Sequence, residues 1–154
     1  QVHDERAYYS LDGVAGHAGL FSNAPDLAVL CQVLLNKGGY GDTQIFNASS
    51  LAQFLTPQSS DETYGLGFRL AGNNQGRRWH FGPYASAQAY GHTGWTGTVT
   101  VIDPAYDLAI ILLTNARHTP IKGTEKRYQF VGKNFETAQY GSIVSLVYEA
   151  LLNQ

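Results

Sequence analysis

Residues 98–113 constrain the fold of this 154-residue chain more than any other stretch. Thr98 to Ile102 alternates in the manner of a half-buried strand, and Asp103-Pro104-Ala105-Tyr106-Asp107 has the composition of a turn. Leu108-Ala109-Ile110-Ile111-Leu112-Leu113 then runs wholly apolar until Thr114-Asn115 closes it. Two strands about a short turn make an antiparallel hairpin, and the unbroken apolar run predicts a second strand buried on both faces. Such a sheet needs a cover. Tyr140 to Leu152 places Ile143, Val144, Leu146, Val147, Ala150 and Leu151 at helical spacing, which predicts a C-terminal helix packed across the sheet. The expected class is α+β, an antiparallel sheet with packed helices.

The remaining sequence is organised around that hairpin. Residues 1–22 read as irregular and rich in Gly, His and Tyr. A helix follows, with Asn23 as its cap, Asp26 as the capping-box partner and Pro25 in the first turn, and it stops at Lys37-Gly38-Gly39. After a short link from Tyr40 to Phe46, Asn47 starts a second helix from Ala48 to Leu55, stopped by Pro57. Residues 63–70 alternate as a strand, Gly72 to Tyr84 reads as an exposed hairpin loop, and Ser86 to Tyr90 as another strand. Residues 115–136 form a long polar connection of the kind that contacts ligands or partners. Three parts result: an opening segment with helices over 1–62, sheet strands over 63–115, and the connection with the C-terminal helix over 116–154.

Composition removes several classes of function. A hydrophobic content of 44% with 14% charged residues fits a packed domain. A net charge of −2 lacks the basic stripe that nucleic acid requires, and Arg77-Arg78 and the mixed run from Lys122 to Arg127 are too short to provide one. No apolar run reaches the roughly 18 residues of a membrane span. Cys31 lies on the apolar stripe Leu27-Leu30-Cys31-Leu34-Leu35 and reads as a small core residue. No histidine pair has the i, i+4 spacing of a helical metal site, and one cysteine cannot build a structural zinc site, so neither metal nor cofactor is expected.

The chemistry-bearing motif stands just before the hairpin. In Gly91-His92-Thr93-Gly94-Trp95-Thr96-Gly97-Thr98, three glycines, a histidine and hydroxyls lead into the first strand. Backbone there can approach a ligand closely and hold a carboxylate or an oxyanion on its N–H groups. A Gly-rich turn feeding a strand is the alternative reading. His3-Asp4 and His17 stand in the Gly-rich opening segment and are weaker candidates, His17 the better, whereas His80 and His118 read as surface loop residues. Tyr64, Phe68, Trp79, Phe81, Tyr84 and Tyr90 fit either a cleft lining or cross-strand core pairs.

Read in order, Val2-His3-Asp4, Gly13-Val14-Ala15-Gly16-His17-Ala18-Gly19-Leu20-Phe21-Ser22, Asp26-Leu27-Ala28, Tyr64-Gly65-Leu66-Gly67-Phe68, Gly91-His92-Thr93-Gly94 and Ile102-Asp103-Pro104 resemble the C-terminal portion of the penicillin-recognising serine hydrolases. That superfamily holds class C β-lactamases, serine D-alanyl-D-alanine carboxypeptidases and related esterases and D-aminopeptidases, with the penicillin-binding protein 4B type the nearest branch. The resemblance implies the C-terminal part of a β-lactamase/transpeptidase-like fold and a periplasmic or extracytoplasmic location. It assigns His92 to the place usually held by lysine, supporting proton transfer beside the nucleophile. Thr93 would bond the substrate carboxylate, Gly94 would clear space for the substrate, and the Trp95 backbone N–H would form half of an oxyanion hole, with His17 at the substrate.

The same family uses a nucleophile in Ser-x-x-Lys and a second motif, Tyr-x-Asn or Ser-x-Asn. No serine here has lysine three residues on, none of the ten tyrosines has asparagine two residues on, and there is no Gly-x-Ser-x-Gly elbow. The expectation is therefore the C-terminal portion of a larger enzyme, inactive alone and completed by an upstream segment that also covers the open sheet edge. Expected substrates are small peptides, amides or esters, with β-lactams among the possibilities. Histidine lacks lysine's fixed charge near neutral pH, which favours peptidase or esterase chemistry over β-lactamase chemistry. The competing reading is a noncatalytic binding or interaction domain on the same fold.

Overall fold

The computed structural model describes residues 2, 4–72, 80–115, 121–124, 127–130 and 140–153. Its centre is a four-stranded antiparallel sheet in the order β3 (Arg69–Leu70), β4 (Tyr90–Thr93), β5 (Val99–Asp103), β6 (Leu108–Leu112). The β5–β6 hairpin forms where the sequence predicts it. Asp103 pairs with Leu108 and Val99 with Leu112, and Asp107 takes a left-handed backbone, φ 48°, to close the turn.

Side chains alternate across a strand, so the sheet has two apolar faces. Val99, Val101 and Ile110 point to one face and pack with Ala71, Phe81, Ala85 and Ala89 against Val144 and Tyr148 of α4 (Tyr140–Leu152). Tyr90 and Ile102 point to the other, where Cys31 and Leu34 of α2 (Ala24–Leu35) and Leu51 of α3 (Ala48–Phe54) meet them. Three layers result, helix, sheet and helix pair. Cys31 is buried in the second cluster, the place its stripe predicts. At the start of α2 the Asn23 side chain accepts from Asp26 N at 3.0 Å and donates to the Asp26 carboxylate at 2.8 Å, a closed version of the predicted box. Asn47 occupies the cap position of α3 but its side chain makes no capping bond.

Several expectations are corrected. The opening segment holds a helix, α1 (Glu5–Ser10), because Asp4 caps it, and the link after α2 folds as a hairpin of β1 (Gly39–Tyr40) and β2 (Thr43–Gln44). Residues 63–70 do not run as one strand. Leu66 N donates to the Phe54 carbonyl at 2.7 Å and Gly65 N to the Phe68 carbonyl at 3.0 Å, so the chain turns and Tyr64 bridges Arg69. Of Ser86 to Tyr90 only Tyr90 joins a strand, since Ser86 is engaged elsewhere. Within the polar connection, β7 (Ile121–Thr124) pairs with β8 (Arg127–Phe130). His80, expected at the surface with its loop, is buried beside Phe81, ring centroids 4.1 Å apart. Trp79, His3 and His118 lie outside the described residues.

The two largest corrections concern burial. In β6 only Ile110 is fully buried, because no strand among the described residues pairs with its outer side. In α4 the buried line is Gly141, Val144 and Tyr148, whereas Ile143, Leu146, Val147 and Leu151 face outward. The helix turns on its axis to bring Tyr148 inward, where its hydroxyl donates to Asp103 Oδ2 at 2.7 Å. Asp103, wholly buried, also accepts from Ser86 N at 2.8 Å, Ser86 Oγ at 2.6 Å and Ala105 N at 3.2 Å. Burial, then the bond and charge of Asp103, then Tyr106 drive the Tyr148 phenol pKa far up, which keeps it a donor. Tyr90 contrasts with it. Its buried hydroxyl has no hydrogen-bond partner among the described residues, and burial, with a smaller contribution from Cys31, raises its pKa to about 12.

These two tyrosines respond oppositely to loss of the hydroxyl. Tyr148→Phe is expected to cost about 1.5–3 kcal/mol in denaturant unfolding, the range for a hydrogen bond to a charged group, whereas Tyr90→Phe is neutral or stabilising. Equal losses in both variants would contradict this assignment. His80 sets a pH dependence. Burial foremost, then the positive charges of Arg69 and His92, lower its pKa from 6.5 to about 4. The unfolded chain then takes up this proton at higher pH than the folded one, so the stabilisation is complete above pH 6.5 and is lost as pH falls toward 4. Melting temperature is expected to fall across that window, and His80→Phe to flatten the slope. A slope identical in the variant would assign the titration to another group.

Candidate active site

The site is built on β4, an interior strand held by β3 on one side and β5 on the other. Register places His92 opposite Thr100 and Thr93 opposite Val99. Tyr90, two residues before His92 and on the same face, is covered by the α2 and α3 layer, but His92 extends past that cover and is exposed. Its Nδ1–H donates to the Thr93 carbonyl at 2.7 Å, a partner that can only accept. In the neutral ring Nε2 is therefore the nitrogen with the open lone pair.

Two glycines in the motif are required by close approach. A Cβ on Gly91 would overlap the Thr100 carbonyl of β5, and one on Gly94 would overlap Thr98 Oγ1. Gly94 to Gly97 then forms a tight turn, with Gly94 N donating to the Thr98 carbonyl at 2.8 Å and Gly97 N to the Gly94 carbonyl at 3.1 Å. Thr114, just past β6, ties the turn down by donating from Oγ1 to the Thr96 carbonyl at 3.0 Å. Trp95 projects from this turn, partly exposed, and lines a cavity of about 480 Å³ with Asp4, Arg6 and His17.

The opposite wall comes from the start of the chain. Asp4 caps α1 by accepting from Ala7 N at 2.8 Å, and the same oxygen, Oδ1, accepts from His17 Nε2 at 3.2 Å. The Asp4 side chain is 12% exposed and that of His17 51%, so the carboxylate lies under the imidazole. Burial opposes ionisation of Asp4, but the Ala7 N–H, the His17 bond and charge, and a backbone bond at Arg6 together outweigh it and hold the pKa below the usual carboxylate value.

The structure thus gathers His92, Thr93, Gly94 and Trp95 in one strand and turn, as their contiguity in sequence requires, and joins His17 to Trp95 across the cavity. His92 is not among the described residues lining that cavity. Arg6 belongs to no motif in the sequence, and Asp4 stands out there only beside His3. The available signal was Asp4 three residues before Ala7, a helix-cap spacing that fixes the carboxylate in space. Of the candidate aromatics, Phe81 and Tyr90 are core, Tyr64 and Phe68 half-buried, and Tyr84 exposed. No group of three or more His, Cys, Asp or Glu able to hold a metal ion occurs among the described residues. Chemically the arrangement offers two exposed imidazoles, each with one nitrogen committed to an acceptor, beside a glycine-walled strand end.

Comparison with known proteins gives consistent matches. The family model described as Beta-lactamase matches residues 1–132. An N-acetylmuramyl-L-alanine amidase of Bacillus subtilis (strain 168) is 53% identical over 152 residues, covering 98% of this chain and 34% of its own length. A protein of Escherichia coli (strain K12) named "Putative D-alanyl-D-alanine carboxypeptidase" is 52% identical over 152 residues, covering 98% of this chain and 35% of its own. A protein of the same name from Salmonella gallinarum (strain 287/91 / NCTC 13346) is 49% identical over the same length, again with 98% and 35% covered. The chain spans about a third of the length of these curated relatives. No solved structure matches it significantly. With its α+β architecture, its His-Thr-Gly strand end and a family match over most of its length, the chain belongs to the beta-lactamase family.

Proposed function

We propose that the protein to which this chain contributes is a serine hydrolase of peptidoglycan that acts through an acyl-enzyme on D-alanyl peptides or related amides. The observation that carries this reading is the end of β4, where His92 is exposed with Nδ1 committed to the Thr93 carbonyl and Nε2 open in the neutral ring. The relatives' names support it, since one is an amidase of a muramyl-alanine link and others are named for D-alanyl-D-alanine carboxypeptidase activity. Cleavage of such links by a serine enzyme needs a nucleophile, proton transfer beside it and donors for the tetrahedral oxyanion.

In this reading His92 Nε2 exchanges a proton with the nucleophile or leaving group, and Thr93 bonds the substrate carboxylate. Gly94 keeps the strand bare where substrate lies, Trp95 contributes its backbone N–H to the oxyanion, and His17 contacts substrate from the opposite wall. The Ser-x-x-Lys nucleophile, which the chain does not contain, is supplied by another portion of the protein. Two surfaces suit such a portion: the outer edge of β6, and the outward face of α4 with Ile143, Leu146, Val147 and Leu151. By itself the 154-residue chain would bind or support but not turn over. Peptidoglycan as substrate supports a location outside the cytoplasm; the described residues contain no helix long and apolar enough to cross a membrane.

The absence of Ser-x-x-Lys from these 154 residues is also what a noncatalytic binding domain would display. The two readings part on acylation. The full-length protein is expected to become covalently labelled by a fluorescent penicillin on a serine outside this chain, and His92→Ala to lower kcat/KM on a D-alanyl-D-alanine peptide by roughly 10²-fold or more. No labelling together with no hydrolysis would establish the binding-domain reading, and an effect below threefold would remove His92 from the mechanism.

A further inference from the structure

The cavity between Trp95 and the start of the chain carries chemistry that the family motif does not explain. Its described lining is Asp4, Arg6, His17 and Trp95, contributed by two segments nearly eighty residues apart in sequence. Its volume, about 480 Å³, suits a small organic ligand. Asp4 is fixed twice, by Ala7 N and by His17, so its carboxylate is a rigid acceptor. An acceptor facing Nε2 requires that nitrogen to carry hydrogen, and in the neutral ring Nδ1 is then a bare acceptor. Among the described residues nothing hydrogen-bonds to Nδ1, and the side chain is half exposed.

We propose that Asp4 and His17 form a substrate-anchoring pair, in which Asp4 is a positioning residue that holds the His17 ring as its Nε2–H tautomer and His17 Nδ1 accepts a hydrogen bond from the ligand. The ligand class follows from the other two walls. Trp95 and Arg6 line the same cavity as this acceptor, an indole and the cation among its described lining residues. A small acylated amine bearing a carboxylate matches all three: its amide N–H meets Nδ1, its carboxylate the side of Arg6, and its apolar face the indole. An N-acyl peptide end and an N-acyl amino sugar carrying an acid share this chemistry. The inference rests on the hydrolase reading for its substrate, but not for the pair itself. Among the described residues, the charged groups at His17 are Asp4, bonded to it, and Arg6, which lines the same cavity.

The test uses the full-length protein. Nitrogen-15 shifts of the His17 ring are expected to show Nε2 protonated and Nδ1 bare, with the two tautomers averaging in Asp4→Ser. Serine is itself a favoured helix cap, so this variant keeps α1 capped while its shorter side chain withdraws the acceptor from His17. The probes are N-acetyl-D-alanyl-D-alanine and N-acetylmuramic acid, each measured for affinity by titration rather than turnover. His17→Phe is expected to weaken the bound probe at least tenfold and Asp4→Ser three- to tenfold. The probe that loses affinity identifies the source of the ligand as peptide or sugar acid. A wild-type ring protonated on Nδ1, affinities unchanged in both variants, or no binding of either probe would each overturn the pair. Penicillin labelling of the wild-type protein judges the hydrolase reading separately, so either idea can fall alone.

Discussion

The fold depends on one buried carboxylate. Asp103 ends β5 and accepts hydrogen bonds from the Ser86 loop, from the turn into β6 and from Tyr148 on α4. A carboxylate with no solvent exposure is costly unless its oxygens are satisfied, and here all the donors are supplied by elements that must dock for the sheet to be covered. The same contact orients α4, because only one rotation of the helix aims Tyr148 at the end of β5. The apolar clusters add most of the burial, but they are indifferent to small rotations in a way that a directed hydrogen bond is not. Replacing Asp103 by a group that must donate would set it against every one of its neighbours.

From that anchor the geometry passes along the sheet to the site. β5 is held at one end by Asp103 and pairs along its length with β4, so His92 sits at a position fixed by register with Thr100. Gly91 lets β4 lie against the β5 backbone, and Gly94 lets the following turn close over Thr98. Both residues act by what they lack. The imidazoles on the two sides of the site are held by unlike devices: His92 by a carbonyl of the next residue, His17 by a carboxylate thirteen residues away. In each ring the bonded nitrogen is a different one, Nδ1 in His92 and Nε2 in His17.

What could be read from the sequence was what local patterns encode. The β5–β6 hairpin, the Asn23 cap with Asp26 and the extent of α4 are fixed by turn composition, a three-residue spacing and periodicity, and all appear where expected. The face that α4 buries was not readable. Ile143, Leu146, Val147 and Leu151 satisfy the helical spacing, yet Tyr148 is chosen instead by a partner 45 residues away. His80 was misplaced for a related reason. Residues 72–78 before it are polar and glycine-rich, and although Trp79 and Phe81 flank it, only the packing of Phe81 into the core carries it inward. At the site, the contiguous run from His92 to Trp95 was legible as a unit, but the approach of Asp4, Arg6 and His17 to Trp95 is a long-range contact that no local pattern encodes.

The hydrogen bond from Thr114 Oγ1 to the Thr96 carbonyl joins the turn bearing Trp95 to the outgoing end of β6. That turn therefore has two masters. Its backbone is set by Gly94 and Thr98, but its tilt over the cavity is tethered to the point where the chain leaves the sheet. Loss of the Thr114 hydroxyl would therefore release the Thr96 carbonyl as well as the end of β6, so a side chain outside the cavity shares in holding the turn that carries the indole.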